Sequence, residues 1–498
     1  MNKSRWVQKA RVWHRRLGWV GGIALLLFGI SGLTHPLMTW FGPQPAVFFP
    51  PQAHIESTAI AAIPAILASQ GIASAQQVRI VPTADGNKLQ VTDTNQRRYF
   101  ALDTGAEHLD FDRQQGEWLA RYYTGLADTP IREMYLQTRF DNAYPEVNRL
   151  LPVWRVSFAT KDGMTAFVHT ELNALAALSN NMRTAQQALF RSLHSFSWLS
   201  SWELLRVVVL TVLSLSLLGL GLAGATLVFV MPARHIPAAR RRWHRYLALL
   251  LWLPLLAFSS SGLYHLWHKV AADADTGFMA APALDLRPLW QQDQTIVTQL
   301  ESQEVNAPLN GASLLQGPNA TLLLRLAHPA GPQHEHVHRQ ARFDGTSTER
   351  PSRLIALTGT SEEGWSDRSL ARYFAAEHLG IEQDAIVGTE LVSAFGPDYD
   401  FRNKRLPVWR IRHAGGSAFI DPANGTLVDH ATAPDRWEGH VFGHLHKWNF
   451  LTPWVGRQVR DSLAVVIVLL ALVSATLGMG LQYRRRRRVV AQGGQPIL

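Results

Sequence analysis

Four stretches of this chain are apolar over the roughly 20 residues needed to cross a bilayer, near 17–37, 204–231, 245–267 and 461–482. Their flanks set an orientation. The opening "MNKSRWVQKARVWHRR", the connection at 232–244 and the closing "YRRRRRVV" are all rich in Lys and Arg, and four crossings bring all three to one face. The positive-inside rule makes that face the cytoplasm. The first apolar run is too long for a signal peptide core and no small-residue cleavage site follows it, so it reads as an uncleaved anchor.

The expected order is a cytoplasmic start and first helix (1–37), an extracytoplasmic segment (38–203), a second helix (204–231) and a cytoplasmic loop (232–244). A third helix (245–268), a second extracytoplasmic segment (269–460), a fourth helix (461–483) and a basic cytoplasmic tail (484–498) complete it. The expected location is a bacterial inner membrane, with both termini in the cytoplasm and both large segments in the periplasm. The formal charge of +10 is concentrated in these short basic runs, which points to membrane topology and lipid contact rather than to nucleic acid. Cysteine is absent from all 498 residues, which excludes disulfides, thiolate-bound iron–sulfur clusters and covalently attached haem.

The chain repeats itself. "RVWHRRLGWVGGIALLLFGISGLTH" at 11–35 corresponds to "RRWHRYLALLLWLPLLAFSSSGLYH" at 241–265, with histidines 21 positions apart in both. "RLLPVWRVSF" at 149–158 corresponds to "KRLPVWRIRH" at 404–413, and "TAFVHTELNAL" at 165–175 to "SAFIDPANGTL" at 417–427. "LFRSLHSFSWLSSW" at 189–202 corresponds to "VFGHLHKWNFLTPW" at 441–454. Two tandem halves related by a pseudo-two-fold axis along the membrane normal follow as the expectation. Each extracytoplasmic segment reads as α+β: helices over "STAIAAIPAILASQG" and "DRSLARYFAAEHLG", a meander over 77–109, and loops or extra strands near 302–350.

Three histidine positions recur across the repeat: His14 with His244, His35 with His265, and His194 with His446. Twenty-one residues at 1.5 Å rise span about 32 Å, which puts His14 and His244 at the inner boundary and His35 and His265 at the outer one. His194 and His446 lie in aromatic-rich segments expected at the outer interface. A single interfacial imidazole is best explained by its suitability for the headgroup region. Paired positions shift that balance, because two facing imidazoles offer neutral nitrogen ligands on one axis, and without cysteine a non-covalent haem b is the economical cofactor. One to three haems, two favoured, would be held by His14, His244, His35, His265, His194 and His446. Zinc would require four ligands, and the spans supply no carboxylate or thiolate.

Other features point elsewhere or nowhere. His334, His336 and His338 of "QHEHVHRQ" alternate on one strand face and could bind a metal, although a solvated polar strand explains them as well. Trp154 and Trp409 of the repeated "LPVWR" read as strand core, with Arg155 and Arg410 able to attract acidic ligands. Trp19, Trp252 and Phe258 are mid-span aromatics expected to pack. Pro254 with Ser259, Ser260 and Ser261 is the one feature leaning toward a transporter.

The order of anchor, outer domain, "LHxxxWL"-like segment and helix, repeated twice, resembles the PepSY-associated transmembrane family, some of whose members are inner-membrane reductases of ferric siderophores. The resemblance covers nearly the whole chain and is strongest at "WHRRLGW", "WHRYLAL", "LFRSLHSF" and "VFGHLHKW". It implies PepSY-like outer domains, haem on helix histidines and an iron-linked role. The resulting expectation is an oxidoreductase with no catalytic acid, base or nucleophile. Electrons from quinol or another donor would pass haem at His14/His244, then haem at the outer cluster, to a periplasmic ferric siderophore or other ferric chelate. A PepSY-domain sensor or peptidase regulator, or an iron or haem uptake transporter without redox activity, is the alternative.

Overall fold

A computed structural model describes residues 3–93, 96–231, 238–271, 277–291, 296, 309–328, 352–358, 365–396 and 398–492. It is a mixed helix and sheet protein, 53% helical and 22% strand. The chain divides into a helical unit (1–42, 182–274 and 434–498) and an α+β unit (43–181 and 275–433). The histidines of "QHEHVHRQ" and residues 232–237 of the 232–244 connection lie outside the described residues.

Four helices of the helical unit are long and apolar enough to cross a membrane. They are Val20–Phe41, Glu203–Val230, Ala239–Ala271 and Thr452–Ala491, referred to below as the first to fourth spans. A separate helix, Lys3–Leu17, precedes the first span. Between them the chain bends at Gly18, and Gln482 of the fourth span donates to the Arg15 carbonyl at 2.7 Å. Small residues set the approach of the spans. A Cβ on Gly21 would meet the Ser216 carbonyl oxygen at 2.9 Å, and one on Gly29 the Leu472 side chain at 2.8 Å. Close helix contact of this kind is how packing is gained where lipid is as apolar as leucine. Ala24, Leu25, Leu217, Leu251, Ala471 and Ala475 form the bundle core, drawn from all four spans.

Pro254 does not break the third span. Ser259, Ser260 and Ser261 donate to the carbonyls of Leu255, Leu256 and Ala257 at 2.6–2.7 Å, so their hydroxyl protons are returned to their own helix.

In the α+β unit, a helix followed by four antiparallel strands occurs twice. Phe111–Thr124 precedes Ile131–Gln137, Val153–Phe158, Thr165–His169 and Ala174–Ser179, paired in sequence order. Asp367–Leu379 precedes Ile386–Val392, Val408–His413, Gly416–Ile420 and Leu427–Thr432, also paired in order. Apolar residues on the inner faces bury the helices: Leu119, Ala120 and Tyr123 against Val156, Ala166 and Val168 in one, and Leu370, Ala371 and Phe374 with Ile411, Ala418 and Ile420 in the other. Capping fits the sequence. Ser366 and Ser369 form a reciprocal cap at the start of the second helix, and Gly125 and Gly380, with φ of +71° and +62°, end the two helices in the left-handed region.

A third sheet has six strands in the order Ser352–Ala356, Leu322–Ala327, Gly311–Gln316, Gln77–Thr83, Gly86–Thr92, Arg97–Ala101. Its two central strands come from the two separate segments that follow the first and third spans, and pair Ala312 with Ile80 and Ser313 with Arg79. The segments therefore share one sheet. Its apolar face packs on the short helices Ser57–Ala61 and Ile63–Ser69 through Ile60, Ile63 and Leu67.

Trp409 is buried, whereas Trp154 is partly exposed and donates through Nε1 to Asp112 at 2.6 Å. Arg155 pairs with Asp141 at 3.1 Å and Arg410 with Asp398 at 3.2 Å, so both arginines are neutralised within the unit. Trp154 also generates a test. A Cβ on Gly116 would lie 2.6 Å from the Trp154 Cγ. Alanine in place of glycine inside a helix ordinarily stabilises by up to about 1 kcal/mol. Here overpacking reverses the sign, and Gly116→Ala should destabilise the unit by roughly 1 to 3 kcal/mol in thermal or urea unfolding.

Candidate functional site

The helical unit gathers the repeated histidines into two places. His14, near the end of Lys3–Leu17, and His244, in the first turns of the third span, have ring centroids 6.2 Å apart. His194 follows the helix Asn181–Leu193, and His446 ends a short π-helical turn, Phe442–His446. These two rings are 6.4 Å apart and nearly perpendicular, at 87°. A histidine nitrogen lies about 2 Å from a bound metal. Adding about 1 Å from nitrogen to ring centre, two imidazoles on one axis stand roughly 6 Å apart, which matches both spacings.

The chemistry around His194 and His446 bears on which nitrogen is available. Ser31 of the first span lies 3.0 Å from Nδ1 of His194, and Ser261 of the third span 3.2 Å from Nδ1 of His446. Each serine gives its only proton to its own helix, Ser31 to the Leu27 carbonyl at 2.7 Å and Ser261 to the Ala257 carbonyl at 2.6 Å. With that proton on a carbonyl, each serine oxygen can accept from the ring, and a ring proton on Nδ1 would leave the lone pair on Nε2, as a ligating imidazole requires. Burial pushes the His194 imidazole down to about 4, and burial with the neighbouring His194 pushes His446 down to about 3, so both rings are neutral near pH 7.

His35 and His265 extend this arrangement without meeting each other in ring contact among the described residues. Phe190 lies between His35 and His194, with centroid distances of 6.4 and 4.6 Å. Phe442 lies between His265 and His446, at 4.3 and 4.6 Å. An imidazole–phenyl–imidazole contact series therefore occurs twice. Beyond the second, Nδ1 of His265 pairs with Glu438 and Nε2 of His268 with Asp435, two carboxylate–imidazole contacts between the third span and the helix Ala433–Val441. Of the mid-span aromatics, Trp252 packs edge-on against Phe229, whereas Phe258 lies edge-on to His446 and stacks on Trp448.

Room beside the rings comes from glycine. A Cβ on Gly224 would be 3.6 Å from His14, one on Gly262 3.6 Å from His446, and one on Gly478 3.0 Å from His244. Nδ1 of His14 is buried without a hydrogen-bond partner, and Nδ1 of His244 has Ser474 at 3.3 Å. Among the described residues no three His, Cys, Asp or Glu side chains gather as a metal-ion site. Two imidazole pairs with ring centroids 6.2 and 6.4 Å apart, and a glycine beside three of the four rings, are residues that could hold a metal-centred cofactor.

Ser31, Phe190, Phe442 and the three glycines were not singled out in the sequence, and Ser261 only as a polar residue of the third span. Ser31, Ser261 and Gly262 could have been found, since they belong to the repeated Ser-Gly-Leu-x-His tail. Gly224 and Gly478 could not, because only the packing of the second and fourth spans shows which of their many small residues meets a ring. No protein-family model matches the chain, and no curated protein is a significant match to it.

Gly478 offers a test of the ring placement alone. Gly478→Leu should push the His244 ring from its seat, and diethylpyrocarbonate labelling followed by peptide mass spectrometry should show faster modification of His244 in the variant. Unchanged labelling would mean that the glycine does not hold the ring.

Proposed function

We propose that this protein is a haem-containing membrane reductase of the PepSY-associated type, passing single electrons to a ferric chelate such as a ferric siderophore in the periplasm. The observation that carries the reading is the His194/His446 pair, with its spacing and a serine oxygen beside each Nδ1, together with the second pair His14/His244 at nearly the same spacing. The residues that would hold haem b are these four, with His35 and His265 flanking the outer pair behind Phe190 and Phe442. Bound between two neutral imidazoles, haem supplies a one-electron couple.

The chain's own residues do the rest. Ser31 and Ser261 hold the outer rings in one tautomer and orientation, and the glycines keep the faces beside the rings open. Apolar spans exclude water from the site. His244 and Ser261 stand 17 residues apart on one helix, about 26 Å along its axis. Donor and acceptor chemistry are thereby kept at opposite ends of the bundle, with quinol or another reductant as donor. Hard-oxygen chelates bind Fe(III) far better than Fe(II), so one electron suffices for release and no acid, base or nucleophile is required. The two helix-plus-four-strand arrangements are read as PepSY-like domains of two pseudo-symmetric halves, on the periplasmic side of a bacterial inner membrane.

An absorption spectrum of the purified protein in detergent tests this. A Soret band that shifts on dithionite reduction is expected, and His194→Ala or His446→Ala should lower haem per protein or turn a six-coordinate spectrum five-coordinate. For the inner pair, His14→Ala and His244→Ala should lose haem non-additively, since groups serving one site do not act independently. A protein without a bound chromophore would overturn the reading. Topology has its own test: reporter fusions after residue 240 and at the C-terminus should be cytoplasmic, and those near 120 and 350 periplasmic.

A further inference from the structure

The polar face of the six-stranded sheet is largely buried, and several of its polar atoms, the acceptor oxygens of Gln77, Gln90 and Thr92 among them, have no hydrogen bond among the described residues. Arg325, Ser313, Arg79, Gln90 and Tyr99 form one cross-strand row, and Gln77, Thr92 and Arg97 the next. Two hairpin turns close over this face. Gln90 donates to the Thr170 carbonyl at 3.1 Å, which seats the turn after the strand Thr165–His169. Ser313 donates to the Ala423 carbonyl at 2.8 Å, which seats the turn after Gly416–Ile420. Arg79 lies between Ser313 and Gln90 in the row, and so between the two turns.

Three nitrogens at this junction have no hydrogen-bond partner among the described residues. Nε of Arg79 and Nε of Arg97 are buried without a hydrogen bond, and the Arg97 guanidinium only approaches Asp112 at 3.7 Å and Glu171 at 3.6 Å. His169, 4% exposed, has a buried Nδ1 with no partner, and burial plus Arg97, Arg405 and Arg79 hold its pKa well below the usual histidine range. Asp112 is already claimed by Tyr99, Thr170 and Trp154, and Asp421 by Arg405 at 2.8 Å. Lys88, on the same face and 6% exposed, has only the Phe111 ring, 4.9 Å away. The guanidinium groups of Arg79, Arg97 and Arg405 stand beside Asp112, Glu171 and Asp421. A buried donor left without a partner is costly, more so when charged, and native proteins satisfy nearly all of them.

We infer that the junction of the two hairpin turns with this sheet face is a binding site for a small oxyanion, a carboxylate or phosphate group, taken by Arg79, Arg97 and His169. The guanidinium forks supply paired N–H donors matched to two oxygens. The site is independent of haem and of the reductase reading.

The test is calorimetric titration of the full chain in detergent, in a buffer free of other oxyanions and at fixed ionic strength. Inorganic phosphate and acetate are titrated separately, with chloride as the reference. Saturable single-site binding of one of them is expected; which of the two binds distinguishes a phosphate from a carboxylate site. Affinity should fall at least tenfold in Arg79→Gln and persist in Arg287→Gln, whose exposed partner is Asp285. Absence of saturation, an equal response to chloride (an adventitious ion only), or wild-type affinity in Arg79→Gln would overturn the site. Should Arg79→Gln fail to fold, the wild-type unfolding midpoint decides: it should rise with the bound anion by mass action, and no rise overturns the site equally.

Discussion

An imidazole enclosed among apolar helices must have each ring nitrogen partnered, and the helical unit is arranged around that requirement. Ser31 and Ser261 meet half of it for His194 and His446. With their own protons on helix carbonyls they can accept from Nδ1 of the rings, which would leave Nε2 of both as the nitrogen without a serine partner. The bundle's small residues follow from the same need, since a larger side chain at Gly262 or Gly478 would occupy the flank of a ring.

Much of this was legible in the sequence because the constraints are periodic or repeated. The four spans follow from apolar run length, and their helices overlap the expected ranges, extended at the ends where Arg and aromatic residues continue the helix beyond the apolar core. The helix over Asp367–Leu379 and the meander at Gln77–Ala101 carry local signals in capping serines, Gly turns and alternation. His14 with His244 and His194 with His446 were marked by recurrence, and their rings are indeed neighbours.

What escaped the sequence is non-local. Nothing in "LNGASLLQ" shows that Ser313 will align with Arg79, more than two hundred residues earlier, because strand pairing between distant segments leaves no periodicity behind. The orphaned nitrogens of Arg79, Arg97 and His169 are likewise invisible until two turns are laid over one sheet face. His35 and His265 illustrate the intermediate case: recurrence singled them out, but only the structure shows that His35 lies tilted beside Phe190 and His265 stacks on Phe442.

The shared sheet also sets an order of events during synthesis. Strand Gln77–Thr83 has one hydrogen-bonding edge covered by Gly86–Thr92 within a few residues, while its other neighbour ends at Gln316. At ribosomal rates of about 5 to 20 residues per second, that second edge waits roughly 10 to 50 s, with the second and third spans made in between. A bare strand edge is a template for pairing with another chain. Arg79 and Gln77 on its polar face, and Pro82 near its end, make the waiting strand a poor one, so the residues that later line the buried junction first serve as guards of an unfinished sheet.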